Sequence, residues 1–262
     1  MTKTELLSFA EAVAREAGAL LRERFGTRLD VRHKGRINLV TEVDLLAEQC
    51  IRRQIQAHFP DHSILAEEEG LTETASAFRW IVDPLDGTTN YAHGYPFFSV
   101  AIAVEQHGEI IVGVVYDPLR NELFSAAKGQ GAYCNGQPLH VSDVTSLEQA
   151  LLVTGFPYNV KSSLQKNLDH FSAFLDVAQA IRRDGSAALD LAYVAAGRFD
   201  GFWELNLAPW DMAAGSLLVT EAGGQVTAFG GQAFSPYVPE IVASNGHIHA
   251  AMCQVLGKST AR

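Results

Sequence analysis

The sequence predicts an α/β protein with an α+β first half and a second half that alternates strand with helix. Three observations carry this reading. Two helical apolar patterns stand near the N-terminus, a run of short apolar segments joined by tight-turn residues spans Phe97 to Val141, and strand–helix alternation begins near Ala150. At 262 residues the chain is long enough for one large domain or two closely packed halves. No linker rich in Pro, Gly or Ser separates them, so we expect subdomains 1–145 and 146–262 sharing one interface. No repeat period indicates a solenoid or propeller.

From Thr4 to Phe25, Leu7, Ala10, Val13, Ala14, Ala17, Leu20 and Leu21 recur at helical spacing, and Gly26 supplies a stop. After the polar "VRHKGRIN", a second helix is predicted from Leu45 to Phe59, ending before Pro60. "SILAEEEG" and "FRWIVD" read as short strands, each running into acid. The meander has turn signals at Gln106–Glu109, Leu119–Asn121 and Asn135–Gly136. "KGQGAYCNG" has the glycines of a phosphate loop, but no helical pattern follows it, so it reads as a hairpin. Beyond it come strand "ALLVTGF", a helix over Ser162–Ala180, strand "AIRR", a helix over Ser186–Ala196, strand "FDGFWEL", a helix over Met212–Ala222, strands "QVTAF" and "EIVAS", and a last helix.

Composition excludes several classes. The apolar fraction is 47% and the charged fraction 19%, as in ordinary globular proteins. A net charge of -10 with scattered basic residues lacks the footprint of a nucleic-acid binder. Cys50, Cys134 and Cys253 form no metal-ligand spacing and read as reduced thiols in a cytoplasmic protein. No segment reads as a signal peptide or membrane span.

The chemistry concentrates in "WIVDPLDGTTNYAHG" and "WDMAAGSLLVTEAGG". Asp83 ends a strand, Asp86 follows, and Gly87-Thr88-Thr89-Asn90 has the composition of a turn opening a helix, where unpaired N–H groups favour an anion. Asp86 reads equally well as a cap on that helix, and Asp211 as the N-cap of the next. Asp44 alone reads as a charge in a first helical turn, and Glu204 alone as a solvated strand end. Together, Glu67, Asp83, Asp86 and Asp211 supply hard oxygen ligands with no His or Cys at ligand spacing, which selects magnesium over zinc. An EF-hand would need an acid at the twelfth place of "DPLDGTTNYAHG", and none is there.

These segments resemble the signatures of the inositol monophosphatase family of magnesium-dependent, lithium-sensitive phosphatases. The resemblance extends to "NLVTEVD", "AEEE", "GVVYDPLRNELFSAAKGQGAYCNG" and "GSAALDLAYVAAGRFDGFWE", nearly the whole chain. It implies the layered αβαβα sandwich of sugar phosphatases and a homodimer. Glu67, Asp83 and the carbonyl of Leu85 would bind one Mg²⁺, and Asp83, Asp86 and Asp211 a second, with a third, weaker ion near Glu67. The backbone N–H groups of Gly87 and Thr88 would hold the phosphate, while Thr88, backed by Asp44, orients or deprotonates the attacking water. Gly185, Ser186 and Ala187 would face the inositol ring, Glu204 would read its hydroxyls, and Asp211 would also contact substrate. "VRHKGRIN" falls in a metal-proximal loop to which no ligand is assigned.

The expected reaction is hydrolysis of myo-inositol 1-phosphate and related small phosphate monoesters by metal-activated water. Relatives of this fold act on fructose 1,6-bisphosphate, histidinol phosphate or 3′-phosphoadenosine 5′-phosphate, which remain alternative substrates. A rival of another class is a regulatory protein that keeps the fold and binds a macromolecular partner.

Overall fold

The computed structural model describes residues 2–27, 31–33, 39–156 and 161–259, so most of the 30–38 segment lies outside the described residues. Helix α1 (Lys3–Arg24) opens with a capping box in which Thr2 and Glu5 exchange side chain and backbone hydrogen bonds. Its stripe of Leu6, Ala10, Val13, Ala14, Ala17 and Leu21 is buried. The two-stranded ribbon β1 (Val31–His33) and β2 (Leu39–Thr41) leads into α2 (Glu42–His58). That helix begins three residues earlier than its apolar pattern suggests, because Thr41 and Asp44 form a second capping box.

Strands β3 (Ser63–Ala66), β4 (Gly70–Thr72) and β5 (Phe78–Asp86) precede the short α3 (Thr88–Ala92). The predicted meander follows as β6 (Ser99–Gln106), β7 (Glu109–Asp117), β8 (Glu122–Ala127), β9 (Ala132–Cys134) and β10 (Gln137–Pro138). These strands form one sheet in the order β10-β9-β8-β7-β6-β5-β3-β4, antiparallel except for the parallel β3–β5 pair. Asn135 and Gly136, at φ 48° and 79°, make the tight two-residue turn their sequence signals. The glycine loop before β9 does hold an anion, but it is internal: the N–H groups of Gly129 and Gly131 donate to the Glu221 carboxylate at 2.8 and 2.9 Å.

The second half contains β11 (Leu151–Thr154), α4 (Lys161–Leu175), β12 (Ala180–Arg182), α5 (Ala187–Ala195), β13 (Gly201–Leu205), α6 (Pro209–Glu221), β14 (Gln225–Thr227), β15 (Glu240–Ser244) and α7 (His249–Ser259). Its sheet runs β12-β11-β13-β15-β14, parallel over the first three strands and antiparallel over the rest. Helix α4 stops at Leu175, earlier than the expected Ala180. Phe174 is anchored on Trp203 with ring centroids 4.2 Å apart, its carbonyl accepts the N–H groups of Val177 and Ala178, and Ala180 joins the sheet beside Leu151. No Gly or Pro marks that stop, so periodicity alone overruns it.

Five layers result. Helices α1 and α2 cover one face of the large sheet, α5 and α6 fill the space between the sheets, and α4 and α7 cover the outer face of the small sheet. The period-two alternation of β5 and β6 divides their side chains between two cores. Trp80, Val82, Val100, Ile102 and Val104 pack toward α1 and α2. Ile81, Ala101 and Ala103 pack toward α5 and α6, in a cluster shared with Ala188, Leu191, Ala214 and Leu218. Among the described residues no helix is long and apolar enough to cross a membrane.

Candidate active site

Strand β5 extends through Asp86, with a register shift against β6 between Asp83 and Asp86. The strand is therefore longer than the expected end at Asp83. Pro84 lies within the irregularity, where a residue lacking an N–H is tolerated. The bulge gives Asp83 and Asp86 two different settings: Asp83 Oδ1 accepts the N–H of Leu85 at 3.0 Å, while Asp86 Oδ2 accepts the hydroxyl of Ser186 and the N–H of Ala188, the latter at 2.8 Å. Asp86 does cap a helix, but the helix is α5, a hundred residues downstream.

Asp211 approaches from α6. Pro209 occupies the first helical position and Ala208 is the N-cap, so Asp211 stands inside the helix, three residues past the N-cap position expected of it. Its Oδ2 accepts the N–H of Ala208 at 2.7 Å. Oxygens of Asp83, Asp86 and Asp211 lie within 4.8 Å of one another.

A single cleft of about 320 Å³ is lined by these three aspartates together with Glu67, Leu85, Gly87, Thr88, Gly185, Ser186, Ala187 and Glu204. Asp44 is fully buried behind it. Its Oδ1 accepts the Thr88 hydroxyl at 2.9 Å, and its Oδ2 accepts the Thr41 N–H and hydroxyl at 2.8 and 2.5 Å. The Thr88 hydroxyl also lies 3.0 Å from the Leu85 carbonyl. A carbonyl has two lone pairs, so this contact leaves Leu85 able to accept a second partner.

Gly87 is the N-cap of α3 at φ 95°, and a Cβ there would stand 3.0 Å from the Phe97 carbonyl and 3.3 Å from that of Gly185. Only glycine satisfies both the left-handed backbone and the crowding. The first N–H groups of α3 have no acceptor within their own helix.

Electrostatically the cleft is a poor place for bare carboxylates. Burial raises Asp83 well above the usual carboxylate range, and Glu67, Asp86 and Asp211 raise it further. Burial lifts Asp86 to about 6 against the lowering effect of its hydrogen bonds from Ser186 and α5. Burial and the neighbouring Asp86 raise Asp211. Burial and Asp211 raise Glu204, which is buried and not the solvated strand end its position suggests. Burial also raises Asp44. Divalent cations would relieve the mutual repulsion, and the donor set of carboxylate and carbonyl oxygens suits Mg²⁺. The residues present therefore fit the ion.

Two lining residues, Gly155 and Arg183, carry no sequence motif, and Asn90 braces the cleft from outside its lining. Gly155 borders Glu204 so closely that a Cβ would fall 2.2 Å from both carboxylate oxygens. Asn90 donates to the carbonyls of Phe97 and Asp184, both at 2.8 Å, and so ties the loop after α3 to the loop carrying Gly185. Arg183 lines the cleft as well. Asn90 stood in the quoted motif as a turn residue; Gly155 and Arg183 gave no signal, because their neighbours in space are distant in sequence.

Fold and cleft together define a phosphatase of the metal-dependent, layered α/β type. The family model for the inositol monophosphatase family matches residues 2–261, and the chain belongs to that family. The inositol-1-monophosphatase of Synechocystis sp. is 45% identical over 252 residues, covering 95% of this chain and 88% of that protein. The Nus factor SuhB of Escherichia coli K12 is 45% identical over 250 residues, 94% of each chain. The crystal structure of the extragenic suppressor protein suhB from Bartonella henselae matches with a TM-score of 0.93 at 41% identity, covering 97% of this chain and 99% of that one.

Proposed function

We propose that the protein hydrolyses myo-inositol 1-phosphate and similar small phosphate monoesters in a Mg²⁺-dependent reaction with direct attack of water. The observation that carries this reading is the convergence of Asp83, Asp86 and Asp211 within 4.8 Å in a cleft that also contains Glu67, the helix start at Gly87 and Thr88, and Glu204. The name of the Synechocystis relative supports the choice of inositol 1-phosphate.

In this reading Glu67, Asp83 and the Leu85 carbonyl hold one ion, and Asp83, Asp86 and Asp211 hold another, with a third, weaker ion near Glu67. Bound Mg²⁺ supplies Lewis acidity, making water a stronger acid and offsetting charge on the leaving oxygen. The N–H groups of Gly87 and Thr88 bind phosphate oxygens. The Thr88 hydroxyl orients the attacking water and passes its proton toward Asp44 Oδ1, already 2.9 Å away. Burial raises the basicity of Asp44, which suits an acceptor of that proton. Glu204 orients the sugar through its hydroxyls, and Gly185, Ser186 and Ala187 let the ring approach closely.

Phosphate release from a panel of monoesters, with and without Mg²⁺, tests the proposal. The expected outcome is preference for inositol 1-phosphate and inhibition by Li⁺; full turnover in excess EDTA would remove the metal-dependent reading. A homodimer is part of the same proposal and is checked by light scattering. The name of the Escherichia coli relative supports a second reading, in which the exterior also binds a macromolecular partner. A catalytically inactive Asp211→Asn variant that still binds such a partner would separate the two roles.

A further inference from the structure

Helix α2 carries two buried stripes one residue apart. Val43, Ala47, Ile51 and Ile55 face the core, while Asp44, Glu48 and Arg52 form a polar ridge at i, i+4 and i+8. Asp44 touches Thr88. The other two ridge residues lie outside the cleft lining, yet Glu48 is fully buried and Arg52 is 5% exposed. A buried ion pair is a weak source of net stability, because desolvating both charges offsets their attraction. Stability alone therefore does not account for this one.

The remaining hydrogen-bonding capacity of the pair goes to one turn. Glu48 Oε2 accepts the N–H of Glu68 at 2.7 Å, and Oε1 accepts the N–H of Glu69 at 2.8 Å and Arg52 Nε at 2.8 Å. Arg52 Nη2 donates to the Gly70 carbonyl at 2.5 Å, and Nη1 to the Thr72 hydroxyl at 3.1 Å. Residues 67–69 link the paired strands β3 and β4. The N–H of Glu68 belongs to the peptide unit that also contains the Glu67 carbonyl. Fixing that N–H thus fixes the backbone exit of Glu67, and with it the aim of the Glu67 side chain into the cleft.

We propose that Glu48, locked by Arg52, is a positioning residue that presets Glu67 for Mg²⁺, so that one face of α2 sets both the water-orienting Thr88 and the metal-binding Glu67. This rests on the reading of Glu67 as a metal ligand. Outer partners of metal ligands commonly alter affinity by roughly 10- to 100-fold when removed. In Glu48→Gln one acceptor oxygen becomes an NH₂ that opposes a backbone N–H or the Arg52 donor, so the turn loses its clamp.

Calorimetric titration with Mg²⁺ alone, on wild type, Glu48→Gln and Glu67→Gln, tests the inference. Glu48→Gln is expected to raise the Mg²⁺ Kd by roughly 10- to 100-fold, with kcat near wild type once Mg²⁺ is saturating. The double variant should bind no worse than Glu67→Gln. A purely structural role would lower Tm and leave Kd unchanged, which overturns the inference while the phosphatase reading stands if Glu67→Gln is weakened. A wild type that binds no Mg²⁺ removes both. Should Glu48→Gln fail to fold, amide hydrogen exchange on the metal-free wild type decides: the Glu68 and Glu69 amides must be protected, and exchange at the rate of an open turn overturns the clamp.

Discussion

Replacing Gly155 by Ala tests whether the position of Glu204 selects the substrate. The backbone of Gly155 is outside the left-handed region, so alanine brings no backbone strain, and its carbonyl remains available to Asn167. The effect is then steric. The new Cβ would fall 2.2 Å from both Glu204 oxygens, where an unstrained contact needs about 3.5 Å, so the carboxylate must withdraw by roughly 1 Å. A displacement of that size can cost about 100-fold in rate. The loss of hydrogen bonds from hydroxyls to a charged carboxylate, about 1.5 to 3 kcal/mol each, gives the same scale. We expect kcat/KM for inositol 1-phosphate to fall about 10- to 100-fold, while hydrolysis of a plain aryl phosphate, which has no ring hydroxyls, changes little. Glu204→Gln should reproduce the pattern, and the double variant should add little. Equal loss on both substrates would refute the assignment and make Glu204 a support of the metal site.

Thr88→Ala should lower kcat by about 10²- to 10⁴-fold with Mg²⁺ affinity retained, and Thr88→Ala/Asp44→Asn should be hardly worse than the worse single variant. Asp44→Asn should also lower Tm, because Asp44 completes the α2 capping box, an effect of about 1 kcal/mol. Asn90→Ala, which releases the Gly185 loop from the α3 loop, should raise KM more than it lowers kcat in steady-state assays. The metal-free protein should lose stability as pH rises from about 4 through the raised carboxylate values, including that of Asp86 near 6, since groups with raised folded pKa bind protons more tightly when folded. Mg²⁺ should therefore raise Tm more at about pH 7.5 than at about pH 5, and an equal increment in thermal scans would contradict cation relief of the cluster.

Much of this was legible in the chain because local rules agreed with the fold. The α1 stripe and the Asn135-Gly136 turn follow from period and turn chemistry, and the acidic residues stand out by type. What stayed hidden depends on pairs remote in sequence. Gly155 against Glu204, Asn90 against Asp184 and Glu48 against the amides of Glu68 and Glu69 leave no spacing to read. The end of α4 escapes periodicity for a related reason, since a buried aromatic stack and a sheet partner set it where no breaker residue stands.

The acidic residues themselves posed a choice between helix cap and functional ligand, and their hydrogen bonds leave the two roles compatible. Asp44 takes the Thr41 N–H on Oδ2 and the Thr88 hydroxyl on Oδ1. Asp86 and Asp211 likewise engage α5 and α6 through Oδ2 while lining the cleft. An ionised carboxylate has about four acceptor sites, so a cap bond or two does not exhaust it. The cap instead fixes the rotamer that aims the carboxylate, and the positive end of the helix dipole offsets part of its charge. Capping is thus the means by which each of these acids is held in place. It also makes the site depend on both halves of the chain, since Asp86 of the large sheet anchors the start of α5, where Ser186 and Ala187 stand directly after Gly185.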